Sequence, residues 1–196
     1  MYCLLSEYCC ITHDSRCIFT THYIKMNIKN FEFKAKVDNP ESYEQKLLAL
    51  NPVFNGEDHQ TDTYFNVPSG RLKLREGNIE NALINYNREN TNDAKLSEII
   101  LYQHHPDKAL KDILTLQLGI LTVVDKKRRI YFIDNVKFHF DRVEGLGTFI
   151  EVEAIDDKEQ YSVQELKAQC DKYFRFFELD KSNLIDKSYS DLIEGL

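Results

Sequence analysis

Thr148-Phe149-Ile150-Glu151-Val152-Glu153-Ala154 is the stretch from which the fold can be read. In a strand, successive side chains point to opposite faces, so Ile150, Val152 and Ala154 share one face while Glu151 and Glu153 share the other. Two carboxylates side by side on a strand with an apolar back either face water or gather a cation. The remaining strands decide between these readings.

The same alternation returns on both sides of this stretch. Residues 30 to 37, Asn-Phe-Glu-Phe-Lys-Ala-Lys-Val, put Phe31, Phe33, Ala35 and Val37 opposite Glu32, Lys34 and Lys36. Asn39 and Pro40 then open a helix as N-cap and first residue, with Tyr43, Leu47 and Leu50 on one side. After a polar loop, His59 to Val67 reads as a strand, and Pro68-Ser69-Gly70 turns into Arg71-Leu72-Lys73-Leu74-Arg75, where three cations share a face. Ala82 to Glu89 and Lys95 to Gln103 read as further strands, and in the first of these Ile84, Tyr86 and Arg88 lie together. Pro106 to Leu118 reads as a helix with Leu110, Ile113 and Leu114 on one side, stopped by Gly119. Leu121 to Arg128, Arg129 to Asp134, Lys137 to Arg142 and Thr148 to Ala154 form an antiparallel meander, with a turn expected near Lys126 to Arg129. Ser162-Val163-Gln164-Glu165 is a capping box opening a helix that carries Leu166, Cys170, Tyr173 and Phe174. Lys187 to Leu196 reads as a short tail element.

With 196 residues and 42% hydrophobic content, the chain suits one folded domain with a real core. The net charge of -7 argues against general binding to nucleic acid or anionic membranes. No apolar run approaches the roughly 18 residues that cross a bilayer, and the N-terminus lacks the pattern of a signal peptide. A cytoplasmic location is expected. Cys3, Cys9, Cys10 and Cys17 crowd the first 25 residues, near His13 and His22, while only Cys170 follows. A zinc site is conceivable there. The better reading is that residues 1–25 are an upstream extension from a start codon placed too early, expected to pack poorly, with the domain spanning 26–196.

The strand faces opposite the apolar ones carry Glu32, Lys34 and Lys36; Arg71, Lys73 and Arg75; Arg88; Lys126 and Arg128; Lys137, His139 and Asp141; and Glu151 and Glu153. Any one such face could be the wet side of an ordinary antiparallel sheet. Taken together, the rows are nearly all charged and sort into cationic and acidic blocks. If the strands close into a barrel clad by helices, these rows line its interior. Two like charges about 4 Å apart cost roughly 4 kcal/mol at an effective dielectric near 20, so such an interior calls for a polyanion and cations to fill it. A triphosphate would occupy the Lys and Arg rows, and Mg²⁺ or Mn²⁺ the carboxylates.

Several motifs resemble the CYTH family, the triphosphate tunnel metalloenzymes, and in particular its class IV adenylyl cyclase-like branch. They are Asn30-Phe31-Glu32-Phe33-Lys34, set against a Glu-x-Glu-x-Lys signature; Asp62-Thr63-Tyr64-Phe65 leading to Gly70-Arg71-Leu72-Lys73-Leu74-Arg75-Glu76; Val123-Val124-Asp125-Lys126-Lys127-Arg128; and Ser188-Tyr189-Ser190-Asp191-Leu192. The most specific is Asp141-Arg142-Val143-Glu144-Gly145-Leu146-Gly147-Thr148-Phe149-Ile150-Glu151-Val152-Glu153. The resemblance implies an α+β fold: a closed eight-stranded antiparallel tunnel with helices outside. It also implies metal held by Glu32, Asp141, Glu151 and Glu153, and phosphate held by Lys34, Lys36, Arg71, Lys73, Arg75, Arg88, Lys126 and Arg128. Glu32, Lys34 and Glu151 would be catalytic. Asn30 replaces the signature's first Glu; its oxygen can ligate a hard cation but brings no charge, so a second metal is expected to bind weakly or not at all.

The implied activity is metal-dependent chemistry on a triphosphate: cyclisation of ATP with loss of pyrophosphate, or hydrolysis of ATP, thiamine triphosphate or tripolyphosphate. A rival reading, motivated by Asn30, is a polyphosphate- or nucleotide-binding module without catalysis. An oligomer is compatible with either. His139 is a candidate phosphate contact and Tyr189 a candidate cover for a tunnel mouth. His104-His105 reads as a solvated pair, and Tyr64, Tyr86 and Tyr102 as strand packing.

Overall fold

Charged and apolar residues alternate so regularly along the strands that the sheet can bury both faces only by closing on itself. The computed structural model describes residues 25–87 and 95–195. In chain order these form β1 (Lys25–Lys36), α1 (Pro40–Leu48), β2 (Val53–Phe65), β3 (Arg71–Gly77), β4 (Ala82–Asn87), β5 (Lys95–Gln103), α2 (Lys108–Leu118), β6 (Ile120–Ile133), β7 (Val136–Val143), β8 (Gly147–Asp156), α3 (Val163–Phe176) and α4 (Tyr189–Glu194). The strands make a closed antiparallel barrel in the order β1-β5-β4-β3-β2-β6-β7-β8, with β8 paired back onto β1. Residues 1–24, which hold most of the proposed extension and its cysteines, and Arg88 lie outside the described residues.

The apolar core lies on the outside of the barrel wall. Phe31, Phe33, Ala35 and Val37 of β1, Phe138 and Phe140 of β7, and Ile150, Val152 and Ala154 of β8 face Leu166, Cys170, Tyr173 and Phe177 in and after α3. The Ser162 side chain and Glu165 close the expected capping box at the start of α3, which fixes where its apolar stripe meets the sheet. Cys170 donates from Sγ to the Phe31 carbonyl at 3.0 Å, and burial pushes its thiol up to about 12. It is therefore an inert core residue. Asn39 caps α1, with Pro40 at its start, and Leu47 joins the same core.

Several boundaries differ from the sequence reading; β1, for one, starts at Lys25 rather than Asn30. The turn expected near Lys126 to Arg129 does not exist: β6 runs unbroken from Ile120 to Ile133. That basic run contains no turn residue; Lys126 and Arg128 point inward, where carboxylates pair with them. β2 starts at Val53 rather than His59, continuing through a register shift between Phe54 and Gly56, where Gly56 adopts φ 133°. Helix α2 starts at Lys108 with Asp107 as its N-cap. Its apolar side is only lightly covered, and Ile113 is 58% exposed.

Asp58 holds the β3–β4 connection. Its fully buried carboxylate accepts from the backbone N–H groups of Ile79 and Glu80, both at 2.9 Å, and from Gln60 at 2.8 Å. Asp58→Ala leaves two amides without a partner and frees Glu80 from its position. The expected destabilisation is about 1–3 kcal/mol, read as a lower denaturant midpoint with an unchanged m-value.

Candidate active site

The barrel encloses a cavity of about 700 Å³. At one end Tyr64, Val124, Val143, Phe149 and Tyr189 form an apolar plug, against which Leu192 and Ile193 of α4 pack. Residues 79–81 of the β3–β4 connection and His104, His105 and Pro106 after β5 line the cavity at its other end. Six cations reach the cavity: Lys34, Lys73, Arg75, Lys126, Arg128 and Lys137. Five carboxylates reach it as well: Glu32, Asp62, Glu80, Glu151 and Glu153. Among the described residues the remaining arc is uncharged, made by Ala82, Ile84 and Tyr86 of β4, Ile99 and Leu101 of β5, and Ile28 of β1.

The cations do not stand as an unpaired block. Asp62 sits in a cup of three: Arg75 Nε donates to Oδ1 at 2.8 Å, Arg75 Nη2 and Lys73 to Oδ2 at 3.0 Å, and Lys126 to Oδ2 at 2.7 Å. Burial raises the Asp62 pKa, but Arg75, Lys126 and Lys73 hold it well below the ordinary carboxylate range. For Lys126, burial lowers the ammonium to about 7; Asp62 pulls upward, and Arg75, Arg128 and Lys73 push it further down. Arg128 donates to both oxygens of Asp141 and, at 2.7 Å, to Glu151 Oε2. Lys34 lies 3.3 Å from Glu151 Oε1 and 4.1 Å from the centre of the Tyr189 ring. Glu80 joins Lys137 to Arg75.

Glu32, Lys34, Lys73, Arg75, Lys126, Arg128, Glu151 and Glu153 thus meet around one cavity, as the alternation implied. Three other expected site residues are placed differently. Asp141 is fully buried, and besides Arg128 it accepts from the Tyr189 hydroxyl at 2.7 Å. Arg71 is held by Asp191 of α4. Lys36 is exposed, its ammonium 5.9 Å from the centre of the Phe149 ring. Asp62 and Glu80 were not among the expected site residues. Asp62 pairs directly with Arg75 across the β2–β3 hairpin, so counting residues back from the Pro68-Ser69-Gly70 turn would have found it. Glu80 lies in a connection, where strand parity says nothing.

The acidic part of the wall is the place for a cation. His139, Glu151 and Glu153 each bring a donor atom within 4.8 Å of the others, and Glu32 pairs with Glu153 across β1 and β8. Burial, followed by the Glu151 charge, raises Glu153 to about 7, and Glu32 adds to the effect. Glu151 stays ionised because Lys34 and Arg128 outweigh its burial. His139 is kept neutral by burial and by Arg128 and Lys137, which lower it to about 3. Asn30 Oδ1 is buried without a hydrogen-bond partner on the same cavity wall. An uncompensated carboxylate, a neutral imidazole and an idle amide oxygen together fit a divalent ion.

A profile of the CYTH domain matches residues 29–189. The chain belongs to the CYTH domain family. Among its relatives, adenylate cyclase CyaB of Aeromonas hydrophila is 26% identical over 169 residues, covering 83% of this chain and 87% of that protein. The MJ0240 protein of Methanocaldococcus jannaschii is 28% identical over 175 residues, covering 82% of this chain and 96% of its own. Among solved structures, the PH1012 protein of Pyrococcus horikoshii OT3 superposes with a TM-score of 0.72 at 26% identity, over 83% of this chain and 98% of that one. The closed barrel with its outer helices is thus the architecture that CYTH membership led us to expect.

Glu153 gives the site a pH signature. Its folded pKa lies above the value of 4.5 for a free carboxyl, so between about 4.5 and 7 the folded state binds more protons than the unfolded one. Stability is therefore lost as pH rises through about 7. Glu153→Gln should remove that fall and raise metal-free stability at pH 8 by on the order of 2 kcal/mol, measured by urea denaturation across pH 4 to 8.

Proposed function

We propose that this CYTH protein is a metal-dependent enzyme acting on an organic triphosphate such as ATP. The observation that carries this reading is the division of one cavity into a charged arc and an uncharged arc. A triphosphate chain suits the cup of Lys73, Arg75 and Lys126 with Lys34 and Arg128 beside it, because ammonium and guanidinium groups donate to phosphate oxygens. An organic group suits the apolar wall of Ile84, Tyr86, Ile99 and Leu101. Similarity to an adenylate cyclase supports the same substrate class.

In this reading Asp62 is a positioning residue, holding three cations converged on the place where phosphate oxygens arrive. Asp141 likewise orients Arg128 from behind, since Arg128 and Tyr189 already occupy both of its oxygens. Glu151 and Glu153, with Glu32 beside them, would hold Mg²⁺ or Mn²⁺. The bound ion would supply charge neutralisation and Lewis-acid polarisation at the phosphorus under attack. Lys34, between Glu151 and the Tyr189 ring, offers its ammonium to charge developing on a phosphate oxygen. Lys36, Arg71 and Arg88 are further candidate phosphate contacts, the first two outside the cavity lining. A cytoplasmic setting fits this chemistry.

The test is a product assay with ATP, thiamine triphosphate and tripolyphosphate in Mg²⁺ or Mn²⁺, reading phosphate, pyrophosphate and cyclic AMP. ATP or thiamine triphosphate should turn over faster than tripolyphosphate. Equal amounts of cyclic AMP and pyrophosphate identify a cyclase, and phosphate release a hydrolase. Glu151→Gln should lower kcat by about 100-fold or more. Tight binding with no product from any of the three would make the protein a triphosphate-binding module instead.

A further inference from the structure

We propose that His139 is a nitrogen ligand of the tunnel's metal ion, forming with Glu151 and Glu153 a mixed set that selects a first-row transition ion over Mg²⁺. This rests on the reading that the tunnel takes a divalent cation, and it specifies which kind.

Strand geometry brings the three side chains together. His139 is directly paired with Glu151 across β7 and β8, and Glu153 lies two residues along on the same inward face. His139 Nδ1 is 3.3 Å from Glu151 Oε2 and 3.4 Å from Glu153 Oε1. An ion with bonds of about 2.0–2.2 Å to nitrogen and oxygen holds adjacent donors about 3.0–3.5 Å apart, so His139 Nδ1 already stands at the spacing of a neighbouring ligand from each carboxylate, and all three residues bring a donor atom within 4.8 Å of one another. Glu151 Oε2 also accepts from Arg128, which keeps both of its bonds to Asp141 when it yields that oxygen.

One further atom favours a ligand site over a self-contained cluster of acids. Asn30, 3% exposed, has an idle Oδ1 on the wall of the same cavity, while its Nδ2 donates to Glu32 at 3.3 Å. In the fully buried His139, Nε2 faces away from the carboxylates and would carry the ring proton, leaving Nδ1 free to bind the ion. Buried polar atoms without partners are rare in folded proteins and call for an explanation such as an ion. Mg²⁺ prefers oxygen ligands in a near-ideal octahedron and gives up its water reluctantly. Imidazole raises affinity for ions later in the first row, up to Co²⁺, Ni²⁺ and Zn²⁺. The neutral Asn30 where the family signature has an acid acts in the same direction: it removes a hard anionic oxygen that Mg²⁺ would have used.

The experiment uses the full chain with metal ions alone and no triphosphate. Mn²⁺ is bound and examined by pulsed electron spin resonance for coupling to a histidine nitrogen; Co²⁺ and Mg²⁺ are titrated by calorimetry, with Co²⁺ also followed by its visible absorption. The wild type should show one strong nitrogen coupling and bind Co²⁺ at least about 100-fold more tightly than Mg²⁺. His139→Gln should lose the coupling and weaken Co²⁺ binding by at least about tenfold, with Mg²⁺ affinity changed less than about twofold. A bound Mn²⁺ without nitrogen coupling in the wild type overturns the assignment even if the variant fails to fold, as does unchanged Co²⁺ affinity in a folded variant. Failure of the wild type to bind any of these ions, with or without triphosphate, overturns the metal-dependent reading as well.

Discussion

The structure depends on pairing charges inside a barrel. A lone ammonium or carboxylate away from water costs several kcal/mol, and this interior contains many of them. It holds because Asp62 joins three cations from two neighbouring strands and Arg128 joins Asp141 to Glu151. These contacts fix side-chain positions in advance of any ligand, which is the arrangement that electrostatic catalysis requires. Among the described lining residues they leave a charge close to neutral, with six cations facing five carboxylates. A triphosphate brings several negative charges into that balance, so it needs positive charge to arrive with it. Metal dependence follows from the interior's own charge balance as well as from the acidic cluster.

The apolar residues do the complementary work outside. Aromatic and branched side chains on β1, β7 and β8 are clad by α3 and α1, so the hydrophobic effect tightens the wall instead of filling the lumen. The part of the wall carrying His139, Glu151 and Glu153 is therefore backed by the main core. The arc opposite includes Ala82, Ile84 and Tyr86 of β4 with Ile99 and Leu101 of β5, which form their own small apolar cluster. One end is stopped by Tyr189, which also bonds Asp141, coupling the tail helix to the charged interior.

Much of this was legible from residue parity. Once Ile150, Val152 and Ala154 were assigned to one face, Glu151 and Glu153 had to share the other, and the same logic placed Lys34, Lys73, Arg75, Lys126 and Arg128. Parity names a face but not a partner. Asp62 escaped because its significance lies in register, opposite Arg75, and Glu80 because a connection has no parity. The run Lys126-Lys127-Arg128-Arg129 suggested a turn because four cations look solvated; in the barrel, alternate members find acids inside while Lys127 and Arg129 face outward. Asp141 was read through a motif as an ion ligand; in the structure its oxygens accept from Arg128 and Tyr189. His139 was only a candidate phosphate contact, and its distances to two carboxylates are what suggest a ligand role.

On the proposed function, the nearly neutral tunnel admits a triphosphate only together with divalent cations. The direct measurement is equilibrium binding of a non-hydrolysable ATP analogue to the full chain, in excess chelator and again in Mg²⁺ or Mn²⁺. The account expects affinity to rise at least about tenfold with metal, equivalent to about 1.4 kcal/mol. Equal affinity in chelator and in metal would contradict it.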